Sequence, residues 1–502
     1  MYNITHKNPT IPAILHKKGY IPMKKAIVFF LTAALLLPSL FSCGSGEAAE
    51  ESETVSQTAE TTVESETELT DSLPERDFGG ADFRVWCDTW TYEYFYDPEL
   101  TGDVVEDAAY NRNKTVEERF NVQMVFDYDA TRWRDQNLVI NSVMAGSGAF
   151  DMVTGVGCYL TNPAIAGCYY DLTEAEYLDI DKPWYAQYVL RNLYVGDVLL
   201  LVSGYYDMPT VARAQVTYYN TEMAEDFGIE GMYDMVFAGD WTFDIMLSLG
   251  ESVAADLNGD GKWTEADRYG ITSQWDVLGL IYPTSGYSTM TSIDGSLRLS
   301  GYDENLIAAN NMLYTLMYDT DYYYSGYTKG QAHNYENMLN VFLDKRALFF
   351  LNSVSYTSDE LMRDMGTYGI LPIPKFREDQ EHYGAHSSAF ASAIPMDVPD
   401  FAMSTIVLEA LEYSSWKTVL PAYYDTALSK KFLNDEESVQ ILDLIFQNVC
   451  FDFTYAFHQF FGVDLALSVG LHENYVSWYT SQQSANEAKI EELQKSMEKF
   501  YG

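Results

Sequence analysis

Between Phe83 and Val153 the hydrophobic pattern alternates strand, helix, strand, helix, strand, and this alternation constrains the fold more tightly than any other feature of the sequence. The β-rich run Phe83-Arg84-Val85-Trp86-Cys87 follows the turn-forming pair Gly79-Gly80. A helical period covers residues 104–120, after which Val122, Met124 and Phe126 recur at every second position. A second helical stretch, 133–144, leads through Gly146 and Gly148 into Phe150-Asp151-Met152-Val153. Strands alternating with helices are joined by right-handed crossovers and lie parallel. The predicted fold class is therefore α/β, with mainly parallel sheets flanked by helices. Ligands of such sheets sit beyond the carboxyl ends of the strands. Those ends carry Trp90, Tyr92 and Tyr94 after the first strand and Thr154-Gly155-Val156-Gly157 after the third.

A chain of 502 residues exceeds what one hydrophobic core supports, which predicts two domains or lobes. Hydrophobic content of 47% is ample for both. The formal charge is −44, and residues 1–42 hold five lysines and no acid, so the remainder is more negative still. Such a field repels nucleic acid, and no nucleic-acid partner is expected. Apart from Cys43, the cysteines are Cys87, Cys158, Cys168 and Cys450. No C-x-x-C pair is present, and free or buried thiols are expected, although Cys158 and Cys168 could close a small loop.

The segment 23–43 begins with Lys24-Lys25, runs apolar from Ala26 to Leu40 and closes on Ser42-Cys43-Gly44. A charged start, a short apolar core and a small residue before the cut mark a secretory signal. The apolar run falls short of the about 20 residues a membrane span needs. A cysteine straight after the apolar core resembles the lipobox of bacterial lipoproteins. That resemblance implies a signal over 1–42, with Met23 as an alternative start, and lipidation of Cys43. The mature chain would be anchored on the extracytoplasmic face of the cell membrane without spanning it. Residues 44–75 contain ten acids and no base, too little apolar surface to fold, so 43–75 is predicted to be a lipidated cysteine and a disordered acidic linker.

Further landmarks follow in order: an apolar strand at 198–202, an alternating run ending at Asn220, and Trp241-Thr242-Phe243 before a helical stretch reaching Ala255. With Ala145 to Asp151, Tyr218-Tyr219-Asn220, Phe342 to Leu348 and Leu371-Pro372-Ile373-Pro374-Lys375, the chain resembles the extracellular solute-binding proteins of ABC importers, in the maltose-binding-protein-like branch. The resemblance spans nearly the whole body. It implies two α/β lobes around a ligand cleft, the first over 76–202 with 367–415 and the second over 203–366 with 416–502. The hinge crossings would lie near Val202-Ser203-Gly204 and Met365-Gly366, where glycine suits strands that absorb a rotation. The implied partners are a small-molecule sugar and ABC permease subunits, and the protein is expected to be a monomer.

The sharpest local motif runs from Asp256 to Asp267 and reads D-x-N-x-D-G-x-x-x-x-x-D. Calcium takes about six to eight hard oxygens, and alternate loop positions aim side chains inward around a glycine at the sixth. Asp256, Asn258 and Asp260 would give side chains, Lys262 its carbonyl, Thr264 an oxygen or a water, and Asp267 the closing carboxylate. A single loop of this kind predicts structural calcium.

A sugar cleft needs flat apolar faces and planar polar groups. The candidate ligand contacts are Trp90, Tyr92, Tyr94, Tyr206, Asp207, Arg213, Trp275, Tyr287, Asn352 and His386. Asp207 and Arg213 read equally as an ion pair at the hinge, and any one aromatic is more often core than platform. No zinc-helix, nucleophile-elbow or phosphate-loop motif is present, so no catalytic residue is assigned. The expectation is a non-enzymatic, anchored importer component that captures an oligosaccharide. The alternatives are the same role for a peptide or other organic solute, or an anchored glycan-binding or glycan-degrading lipoprotein.

Overall fold

The computed structural model describes residues 69–87, 99–127, 135–274, 277–286, 290–293, 296–300, 303–325, 335–358, 360–365, 368–388, 390–428, 436–450, 452–461 and 471–501. The expected signal, Cys43 and most of the expected acidic linker lie outside them. The expected alternation is present at the start of the body. Asp77 accepts the Gly79 N–H and turns the chain into β1 (Ala81–Cys87). Helix Val104–Phe120 begins at Asp103, whose carboxylate accepts the N–H groups of Val105 and Glu106, a cap worth about 1 kcal/mol. It ends at Asn121 in the left-handed region, φ 50°. Next come β2 (Val122–Asp127), helix Asn137–Ala145 and β3 (Met152–Val156). β1 is parallel to β2, with Phe83 opposite Met124, and to β3, with Val85 opposite Met152.

The remaining strands are β4 (Gln215–Asn220), β5 (Tyr269–Ser273), the hairpin β6 (Met290–Ile293) and β7 (Ser296–Leu299), β8 (Tyr323–Tyr324), β9 (Ala347–Ser353), β10 (Tyr368–Pro372), β11 (Ala385–His386), β12 (Phe390–Ala393) and β13 (Val449–Cys450). They build a four-stranded sheet, β12-β3-β1-β2, and a five-stranded sheet, β10-β4-β9-β5-β8. β9 is buried throughout and reads Ala-Leu-Phe-Phe-Leu before Asn352, the continuous apolar run of a strand covered on both faces. β4 runs antiparallel to both its neighbours, whereas β9, β5 and β8 are mutually parallel.

Several boundaries differ from the sequence expectation. Residues 69–75 are not all linker: Asp71 is buried and ion-paired with Arg119, and Leu73 packs on the core. The apolar run at 198–202 forms no strand, only isolated bridges, because Val202 meets Ser392 at the sheet edge. β10 hydrogen-bonds to β4, so the chain stays with the five-stranded sheet through Pro372 and returns to the four-stranded one only between 373 and 390. Segments Ser415–Val419 and Leu420–Leu428 pack on helix Val104–Phe120 beside the four-stranded sheet, and Leu420–Leu428 also touches Val354–Ser358 at the end of β9. The final helix, Tyr475–Tyr501, touches Gly157–Ile165 of one lobe and Glu304–Tyr318 of the other. All four described cysteines are buried and none is in a disulfide. Among the described residues no helix is long and apolar enough to cross a membrane.

Candidate functional site

The two chain segments that join the sheets meet beyond the carboxyl end of β3, where α/β sheets hold their ligands. The first crossing leaves the edge of the four-stranded sheet at Val202, which exchanges backbone hydrogen bonds with Ser392 at 2.9 and 2.8 Å. It passes through 203–214 and enters β4. The second crossing passes through β11 into β12. Thr210 binds the two together: its hydroxyl accepts the Phe390 N–H at 2.9 Å, and its carbonyl accepts the Ser387 hydroxyl at 2.5 Å. Asp207 ties the first crossing to the sheet. Its Oδ1 accepts the hydroxyls of Thr154 at 3.1 Å and Ser392 at 3.2 Å.

Behind this junction lies a buried charge cluster. Tyr206 donates its N–H to Glu412 at 2.6 Å, and the Arg112 guanidinium sits 4.7 Å from the Tyr206 ring centre. Glu409 accepts from the Trp184 indole at 2.9 Å and from the Tyr185 hydroxyl at 2.7 Å. Burial pushes the Glu409 carboxyl up to about 7, and it raises Asp207 and Glu412 as well. A Cβ on Gly204 would overlap the Glu412 carboxylate and the Trp184 carbonyl. Glycine is required at this crossing for close packing, not for backbone freedom.

Tyr206 and Asp207 are wholly buried and point into the protein, so the junction uses them as framework. Arg213 is half-buried on the crossing. Asn352 is next to last in β9, with its Oδ1 on the Ser353 N–H at 2.8 Å and its Nδ2 without a partner among the described residues. His386 is 1% exposed, and neither ring nitrogen has a partner among the described residues. Its ring lies edge-on to Tyr455 at 5.3 Å, and burial pushes its pKa down to about 3, so it is a neutral imidazole. Trp90, Tyr92, Tyr94, Trp275 and Tyr287 lie outside the described residues. Two cavities flank the β11–β13 pairing. One of about 320 Å³ lies between Tyr185, Arg191, Tyr205, Thr210 and Phe446, and one of about 360 Å³ between Thr284, Arg377, Gln380 and Asn448.

Sequence reasoning named Thr154 at a strand end but missed Thr210, Ser387, Ser392 and the Glu409–Glu412 pair. Only the last left a signal: two acids three residues apart, Glu409 inside the apolar helical run from Ile406 to Leu411 and Glu412 just after it. The threonines and serines are too common to stand out before the crossings bring them together.

The loop expected to hold calcium folds as a chain of side chain-to-backbone turns. Asp256 accepts the N–H groups of Gly259 and Gly261, Asn258 that of Asp260, and Asp260 that of Lys262. Asp267 closes it, accepting from Leu257 at 3.0 Å and from Thr264 at 2.8 Å. Gly259 and Gly261 take φ 71° and 73°, which glycine alone adopts without strain. Among the described residues no group of three or more His, Cys, Asp or Glu side chains converges as a metal site, because these carboxylates are turned onto backbone N–H groups. The oxygens gathered here are nonetheless of the hard type that calcium selects.

No protein-family model matches the sequence, and no curated protein does. Solved structures do match. A sugar transporter from Rhizobium etli in an open conformation aligns over 84% of this chain and 99% of its own, with 13% identity and a TM-score of 0.55. The galacto-N-biose/lacto-N-biose I-binding protein of the ABC transporter from Bifidobacterium longum, in complex with lacto-N-biose, aligns over 83% and 98%, with 13% identity and a TM-score of 0.52. A cyclo/maltodextrin-binding protein complexed with maltotetraose aligns over 85% and 98%, with 12% identity and a TM-score of 0.51. The chain therefore has the two-lobed α/β fold of ABC-importer solute-binding proteins.

Proposed function

We propose that this protein is the lipid-anchored, extracytoplasmic solute-binding component of an ABC importer, and that it captures a carbohydrate, an oligosaccharide by preference, between its lobes. The observation that carries this reading is the fold. Two sheets are joined by hydrogen-bonded crossings, in an architecture matched over more than four-fifths of the chain by proteins whose names or bound ligands are sugars. Neutral His386 and the Asn352 amide are uncharged hydrogen-bonding groups of the kind that bind hydroxyls. The role is binding and delivery to permease subunits as a monomer, without catalysis. Lipid on Cys43 would hold the protein at the cell membrane, with the acidic linker as spacer. Thermal denaturation against panels of oligosaccharides and peptides tests the ligand class. A ligand at 100 times its dissociation constant adds about 2.7 kcal/mol. A shift with one sugar class and no turnover is the expected result. A shift with peptides alone would keep transport and overturn the sugar, and breakdown of a glycan would overturn both.

Calcium belongs to the same proposal as a structural clip. Asp256, Asn258, Asp260, Thr264, Asp267 and the Lys262 carbonyl would hold it, and the ion would lock the loop that links helix Phe243–Val253 to β5.

A further inference from the structure

Four ionisable side chains from three elements meet behind the first crossing. Arg112 comes from helix Val104–Phe120, Asp207 from the crossing, and Glu409 and Glu412 from helix Phe401–Ser414. Arg112 is 1% exposed and the three acids 0%. The other titratable groups facing them are the Tyr185 and Tyr206 phenols, the Cys87 thiol and Asp179. One guanidinium thus stands against three buried carboxyl groups. A charge in a dry interior is costly unless paired, and a single guanidinium balances only one carboxylate. Burial, before any other cause, raises all three carboxyls, and it lowers Arg112. The folded cluster therefore retains protons that the same groups lose in water.

The cluster also does the mechanical holding. Glu412 grips the Tyr206 N–H, Gly204 lies so close to that carboxylate that no Cβ fits, and Asp207 fastens the crossing to β3 and β12. We propose that this cluster is a proton-operated catch on the interlobe hinge: with its protons in place it holds residues 203–207 against the first lobe, and losing them frees the crossing to rotate. The catch depends on the two-lobed fold and not on which solute is bound, so it stands or falls separately from the sugar reading.

The sign follows from linkage. Opening the crossing wets the carboxyls, which then ionise at their ordinary values near pH 4, so opening releases protons and is favoured as pH rises. Each proton released makes opening about tenfold more frequent per pH unit, from that ordinary range up to the about 7 of Asp207 and Glu409.

Hydrogen exchange of the full chain, normalised to the intrinsic amide rate at each pH, tests the catch over residues 203–210. Protection of this segment should fall at least tenfold between about pH 5 and about pH 7, while that of β9 stays constant. Glu412→Gln keeps an acceptor for the Tyr206 N–H but cannot ionise, and should flatten the dependence. Glu409→Gln leaves the crossing's own hydrogen bonds intact and should weaken it. Protection independent of pH overturns the proposal. So does an equal loss in β9, or a dependence unchanged in both variants.

Discussion

Thr210 shows how a single hydroxyl can set the geometry of a hinge. It serves both crossings at once, so Thr210→Val keeps the shape and leaves the buried Phe390 N–H without its acceptor. Leaving such a donor unpaired costs about 1–3 kcal/mol, and urea unfolding should show a loss in that range. A neutral result would mean the crossings are held elsewhere. His386 makes a prediction of opposite pH sign to the carboxyl cluster. Its pKa is about 3 in the fold and near the ordinary 6.5 in the unfolded chain, so between these values only the unfolded chain takes up the proton. Stability is therefore present above 6.5 and lost as pH falls, by up to about 1.4 kcal/mol per pH unit. His386→Phe removes that loss, and its melting temperature relative to wild type should rise as pH is lowered from about 7 to about 5. A constant difference would contradict the buried, neutral assignment.

At the scale of elements, the calcium loop and the last helix carry the sharpest tests. Added calcium should raise the melting temperature of the wild type and not that of Asp260→Ala. Equal responses would remove the ion from the account and leave the loop as a self-closed turn. The last helix ends on Gly167, where φ is 71° and a Cβ would overlap the Phe500 ring, while Tyr501 donates its hydroxyl to the Tyr169 carbonyl at 2.7 Å. Gly167→Val should unseat that end and speed proteolysis near the C-terminus, and unchanged cleavage would mean the helix is anchored along its length instead. The first strands and helices of the body were legible in the sequence because hydrophobic period is local. The period over 104–120 predicts one helix, and the structure caps its ends with Asp103 and Asn121. The second crossing was not, because its position depends on pairing between distant segments. Nothing near Gly366 reveals that β10 pairs with β4, whose partner residues lie about 150 positions earlier. Tyr206 and Asp207 follow the same logic: they sit where ligand contacts are expected, but Arg112 and Glu412, far away in sequence, draw them into the core.

Over the whole molecule, two sheets joined by hydrogen-bonded crossings form, under the proposed function, a body that closes around a solute. A ligand drives closure only through contacts stronger in the closed state, so binding and change of shape must appear together. A rigid glycan-binding lipoprotein with the same residues would bind without closing. Small-angle scattering of the protein with and without the sugar selected by the denaturation panel separates the two most directly. The account predicts that the radius of gyration falls on saturation with that sugar and recovers when it is removed. An unchanged radius at full occupancy would contradict it.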